Sequence, residues 1–293
     1  MPIERIAILG TGLIGSSVGM ALRQNGFRGT IVGWDRDPSQ MAIALSRSAV
    51  EVITEEPLTA ASECDLILLS GPVFSILDYL EQLASILQPH QLVTDVGSVK
   101  RTLCEHASGR YNLPDKPGFL PGHPMAGKEV GGAANADGEL FHGAVWLFTE
   151  CADSSHMSPE ARAKAEEWRG WVQKFGSRIL DLDPMRHDDL CAWVSHLPQF
   201  VSTALSALLE DKFPHDEDLR AIGGRALREM TRLGASPYSM WRDIAHTNAE
   251  AVAATLLALE QRLTHLREHL KTPDLRDEFE LANRFRLGTP RKP

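Results

Sequence analysis

The chain opens on an apolar run at 5–9 and then alternates such runs with stretches of helical spacing. Strands are predicted at 5–9, 30–35, 66–70 and 92–96, and helices at 14–25, 38–46, 73–87 and 100–108. Uninterrupted apolar strands between helices build βαβ units, whose sheet is parallel and covered on both faces. Residues 118–132 are rich in glycine and proline and read as a loop. Strands are predicted again at 144–149 and 178–182 around a helix at 159–175, with a polar surface turn at 151–158. After residue 183 strand signals stop, and helical spacing runs over 187–210, 216–232, 237–269 and 274–286. The expected organisation is an α/β, doubly wound parallel sheet over 1–183 and an all-α domain over 184–293.

Composition narrows the class. The 293 residues leave room for two cores, and 43% hydrophobic with 24% charged residues is ordinary for a soluble globular protein. A net charge of −9 argues against a nucleic-acid partner, which needs a basic face. Cys64, Cys104, Cys151 and Cys191 form no C-x-x-C pair, so no metal site and no disulfide is expected, and all four are read as reduced thiols. No apolar run approaches the roughly 20 residues that span a bilayer. The first residues read as a strand rather than a secretion signal, so a cytoplasmic location is expected.

Gly10-Thr-Gly12-Leu13-Ile14-Gly15 follows the first strand and opens the first helix, and Asp35 stands about 20 residues further on at the end of the second strand. A tight turn needs Gly10, close approach of a pyrophosphate needs Gly12, and helix–strand packing needs Gly15. With the helix N-terminus facing the phosphates and Asp35 facing the ribose, this is a Rossmann-type dinucleotide site. Asp35 favours NAD, while Arg36 and Arg28 leave NADP open.

The chemistry is expected at the C-terminal edge of the sheet. There Ser98 of Asp95-Val-Gly-Ser-Val-Lys100 is either a hydrogen-bonding group beside the nicotinamide or a helix cap, and Lys100 either an anion contact or a solvated charge. His123 sits in the glycine-flanked stretch 121–127, as a surface residue or as a base titrating near neutrality. His196 precedes Pro198 inside a helix, where a kink would form. Arg232 precedes a helix break and would satisfy carbonyls or fork onto a carboxylate.

The strings GTGLIGSS, WDRD, DVGSVK, GHPMAGKEVGG, LDPMRHDDLCAWVSHLPQ and TRLGASPYSMWRDI, in this order along nearly the whole chain, are similar to the prephenate/arogenate dehydrogenase family of tyrosine biosynthesis. The resemblance implies oxidative decarboxylation of prephenate or arogenate with hydride transfer to NAD(P); a homodimer is expected because such a helical domain often supplies a dimer interface. It further implies His123 as general base on the C4 hydroxyl, Ser98 as its orienting group, and Arg232 on a substrate carboxylate. His196 would stand near the substrate and Glu129 would be an acidic gating residue. Two departures stand out: Gln199 where the family often has a second histidine, and Ser16-Ser17 after the glycine turn. No length remains for a fused mutase or a C-terminal regulatory domain, so any feedback by tyrosine is expected at the active site or dimer interface. Two alternatives remain. A β-hydroxyacid-type dehydrogenase would carry a lysine on the first long helix of the second domain, and 184–210 has none. The other is a non-catalytic NAD-sensing Rossmann protein.

Overall fold

A computed structural model describes residues 2–288; the end of the expected helical domain, 289–293, lies outside them. Six parallel strands form the main sheet: β1 (Arg5–Leu9), β2 (Thr30–Trp34), β3 (Val52–Ile53), β4 (Leu66–Leu69), β5 (Leu92–Asp95) and β6 (Gly118–Leu120). Their spatial order is β3-β2-β1-β4-β5-β6, so the chain reverses direction across the sheet between β1 and β4. Ile6, Ile8, Leu66 and Leu68 pack into one core and Ala7, Leu9, Ile67 and Leu69 into another on the opposite face. A strand buried on both faces has no polar alternation, which is why β4 reads Leu-Ile-Leu-Leu. Helices α1 (Leu13–Gln24), α2 (Pro38–Ser46), α4 (Val73–Leu83) and α5 (Arg101–Ala107) follow the sequence pattern. Strand β3 and α3 (Pro57–Ser62) escaped it: β3 is two residues long, on the sheet edge and half exposed.

The stretch 118–132 is not a single loop. It carries β6 and then β7 (Gly122–Pro124), which starts a second sheet with β8 (Val145–Thr149) and β9 (Arg178–Leu182). Strand β7 runs antiparallel to β8 and β9 runs parallel to it, with α6 (Pro159–Lys174) as the crossover. His123 therefore lies on a strand, opposite Leu147, and not in a free loop. Proline and glycine at the edge of a short sheet imitate loop composition. Trp146, Trp168, Phe141 and Phe175 fill the core between this sheet and α6.

Two further expectations fail. Lys100 is neither solvated nor free to meet a ligand anion: it is fully buried, and its Nζ donates to Asp95 Oδ2 (2.7 Å), the Gly97 carbonyl (2.8 Å) and the Val99 carbonyl (3.1 Å). Cys104 and Cys151 are disulfide-bonded, because α5 packs beside the end of β8. Only tertiary structure brings together two cysteines 47 residues apart. Among the described residues, Cys64 and Cys191 are free and buried.

The helical half starts where Asp183 accepts from the Met185 and Arg186 amides and caps α7 (Pro184–Cys191). A π-turn, Ala192–His196, joins α7 to α8 (Leu197–Lys212). The wider turn accommodates Pro198, which has no amide to donate. Gly223-Gly224 splits the stretch 216–232 into α9 (Glu217–Ile222) and α10 (Arg225–Thr231), and Asn248 splits the next into α11 (Tyr238–Thr247) and α12 (Ala249–Glu268) before α13 (Asp274–Leu287). Among the described residues, no helix is long and apolar enough to cross a membrane.

Candidate active site

The glycine turn sits at the reversal point of the sheet. Gly10 has φ +109°, and a side chain there would run into the Ser70 carbonyl; one at Gly15 would strike the carbonyl of Gly10. Gly12 has nothing within 4 Å of a hypothetical Cβ, so that side of the turn is open to a ligand. Gly12 is also the N-cap of α1 and no side chain fills the cap, which leaves first-turn amides and the positive dipole end for an anion. Gly10, Gly12, Asp35 and Arg36 line one cavity of about 400 Å³, walled also by Trp34 and Tyr79. Leu13 and Ile14 line its neighbour of about 670 Å³. Ser70, Gly71 and Pro72 belong to both cavities, so an extended ligand can cross the helix N-terminus from one to the other. This cradle fits a dinucleotide. The serine departure has a structural use: the Ser16 hydroxyl donates to the Thr11 carbonyl, and Ser17 Oγ accepts from the Asp137 amide, tying the 126–137 segment to α1.

Ser98, His123, Glu129 and Arg232 all line the larger cavity, brought from the β5–α5 turn, β7, the segment after it, and the 3-10 turn Arg232–Ala235. His123 is 7% exposed. Its Nδ1 lies 2.9 Å from His187 Nε2, and His187 Nδ1 lies 2.8 Å from Asp188 Oδ1. A carboxylate can only accept, so His187 Nδ1 carries the proton and its Nε2 is bare. That bare nitrogen accepts from Nδ1–H of His123, which leaves the lone pair of His123 on Nε2. Burial, then the neighbouring His187 and Lys100, hold the His123 pKa well below the usual imidazole value; the neutral, proton-accepting form is favoured. Burial lowers His187 as well, against the pull of Asp188. Asp188 is held in turn by the Lys100 amide on Oδ1 (2.7 Å) and the Arg101 amide on Oδ2 (3.0 Å). The N-terminus of α5 is thus capped by a residue of the helical half, and not by Ser98.

Arg232 pairs with Glu129 at the cavity mouth, both more than one-third exposed. His196 does not stand at the cavity. It is fully buried, 3.4 Å from Asn248 Nδ2 and edge-on to Trp241, and burial lowers its pKa to about 4. Ser195 and Gln199 share a helix face on the cavity wall, and His196, the next position round the helix, turns away. The departure at Gln199 therefore falls on the position that meets the cavity. Gln199 is fixed by bonds to the Leu233 carbonyl (2.7 Å), Thr203 Oγ1 (3.1 Å) and Ser236 Oγ (3.1 Å). Residue-level reading missed His187, Asp188 and Tyr79. The first two lie inside a string that carried the resemblance, but nothing local signals that residue 187 meets residue 123.

A dinucleotide cradle, a neutral buried histidine and an arginine fork around one cavity define a nucleotide-dependent dehydrogenase with a Rossmann domain and a helical second domain. Residues 18–165 match the family model "Prephenate dehydrogenase, nucleotide-binding domain", and 183–286 match "Prephenate dehydrogenase, dimerization domain". The chain is 27% identical to the prephenate dehydrogenase of Bacillus subtilis, over 98% of this chain and 76% of that protein. Its fold is similar to the prephenate dehydrogenase of A. aeolicus, solved with hydroxyphenyl propionate and NAD+ (TM-score 0.86, 26% identity, 99% of each chain). It is also similar to Synechocystis arogenate dehydrogenase (TM-score 0.75, 29% identity, 98% of this chain and 100% of that one). The chain belongs to the prephenate dehydrogenase family.

Proposed function

We propose that the chain catalyses the oxidative decarboxylation of prephenate to 4-hydroxyphenylpyruvate, or of arogenate to tyrosine. The observation that carries this reading is the bare Nε2 of His123, set by the His187–Asp188 chain and turned to a cavity that adjoins the nucleotide cradle. NAD, the cofactor bound by the A. aeolicus relative, supplies the acceptor for the hydride that leaves C4. His123 takes the C4 hydroxyl proton at Nε2, and Ser98 on the same wall orients that hydroxyl. Loss of the ring carboxylate as CO2 then makes the ring aromatic. Arg232 exchanges Glu129 for a substrate carboxylate; an exposed ion pair is worth about 0–1 kcal/mol and gives way easily. Asp35 accepts from ribose hydroxyls and repels a 2′-phosphate, while Arg36 on the same wall makes NADP the cofactor to compare. The test is coenzyme reduction with both substrates and both coenzymes. Activity with one of the four pairs is expected, and purified protein inactive on all four overturns the reading.

Two variants separate the roles. Arg232→Gln is expected to raise KM by about 10–100-fold with kcat within a few-fold, as for a lost charge-assisted bond. An unchanged KM removes Arg232 from the substrate. Asp188 is a positioning residue. Its two carboxylate oxygens serve three donors, and an amide has one oxygen to offer. Asp188→Asn is therefore expected to lower kcat by about 10–100-fold through loss of tautomer control, with KM nearly kept. A variant that changes only stability would contradict the relay.

We further propose a homodimer joined through the helical half, which exposes Ile222 (80%), Tyr238 (77%), Phe279 (65%) and Phe285 (91%). Light scattering should then give twice the chain mass. We place the enzyme in the cytoplasm, with its nicotinamide pool.

A further inference from the structure

Cys191, the last residue of α7, is fully buried and has no part in the mechanism above. Its Sγ lies 3.7 Å from His187 Nε2 and 3.9 Å from His123 Nδ1, the two nitrogens that face each other at 2.9 Å. Tetrahedral zinc, about 2.0 Å from nitrogen and about 2.3 Å from sulfur, holds such atoms roughly 3.3 Å (N to N) and roughly 3.5 Å (N to S) apart. The observed separations differ from those values by a few tenths of an ångström, and the two rings would turn their facing nitrogens toward a common point beside the N–N line. The outer shell is also in place: His187 gives its other nitrogen to Asp188, the carboxylate–histidine arrangement that orients a metal-bound imidazole. The nearby cation, Lys100, is balanced by Asp95, and Asp188 adds a negative charge.

We propose that His123, His187 and Cys191 form a buried three-ligand site for a zinc-class divalent cation, and that its occupation stops the dehydrogenase. Binding releases the thiol proton and forms the metal–sulfur bond. His187 Nε2 is already bare. His123 must free Nδ1 to coordinate, so its single ring proton moves to Nε2, and the lone pair that accepts the C4 hydroxyl proton is lost. A metal ion and the catalytic tautomer therefore compete for one position. The inhibitory half of this proposal rests on His123 being the base, and the binding half does not.

The test uses the full chain, stripped with EDTA and free of cofactor. Titration with Co²⁺ is expected to raise a thiolate-to-cobalt charge-transfer band that saturates at one equivalent per chain and is displaced by Zn²⁺. Zinc is expected to abolish activity and EDTA to restore it. Cys191→Ser is expected to keep basal activity, lose the band, and raise the half-inhibitory zinc concentration by about 100-fold; Cys191→Ala serves if the serine variant does not fold. Absence of the band overturns the site. So does a Cys191→Ser protein that binds and is inhibited like the parent, which would move the metal to a surface pair such as His265 and His269. A saturable band without loss of activity overturns the inhibition alone. The band needs no turnover, so failure of the site and failure of the dehydrogenase reading give different results.

Discussion

Replacing His123 by asparagine is expected to lower kcat by about 10²–10⁴-fold while coenzyme affinity and folding are kept. Asparagine fits the same strand position, and its amide can still donate toward His187 Nε2, so the buried pair keeps a polar partner. What disappears is Nε2, the one atom of the His123–His187–Asp188 chain left bare for substrate. Asp35 and the glycine turn, the proposed nucleotide contacts, line the adjoining cavity, so coenzyme titration by fluorescence should be nearly unchanged. Single-turnover measurement separates the chemical step from product release. A kcat within tenfold of the parent would mean that another group, or water, takes the proton.

The nucleotide half was legible because its signal is local. Strand, glycine turn, helix and Asp35 fall within one βαβ unit, and each residue type answers a backbone need that hardly depends on the rest of the fold. Ser98, His123, Glu129 and Arg232 were reachable by resemblance, since each lies in a string with its neighbours. What stayed hidden depends on contacts between distant segments. His123 and His187 are 64 positions apart, Lys100 and Asp188 are 88, and Cys104 and Cys151 are 47. Lys100 looked solvated because burying a lysine is costly, and only the Asp95 carboxylate with two carbonyls around Nζ reverses that expectation. His196 was placed at the substrate from a string that does reach the cavity, but through Ser195 and Gln199. A string locates a helix; the face it presents follows from how that helix packs.

The largest expected effect on stability belongs to Asp95. Its Oδ2 accepts from Lys100 Nζ and from the Gly97 amide, both at 2.7 Å, and its Oδ1 from the Gly122 amide at 3.1 Å. Carboxylate and ammonium are both fully buried. Asp95→Asn keeps the shape but leaves the Lys100 charge in the interior with carbonyl dipoles alone, and breaking a buried pair in this way costs about 3–5 kcal/mol. A typical domain has about 5–15 kcal/mol in total, so the urea midpoint should fall steeply at an unchanged slope. A loss below about 1 kcal/mol would show that water or another group reaches Nζ. The double variant Asp95→Asn/Lys100→Met removes the stranded charge and should recover much of the loss, since apolar replacements of buried pairs are often neutral. Its activity need not recover with its stability. Gly122, whose amide Asp95 anchors, is the first residue of the strand that carries His123, so an altered anchor moves the proposed base even when the core is content. Recovery of both together would mean that Asp95 matters only as the counter-charge of Lys100.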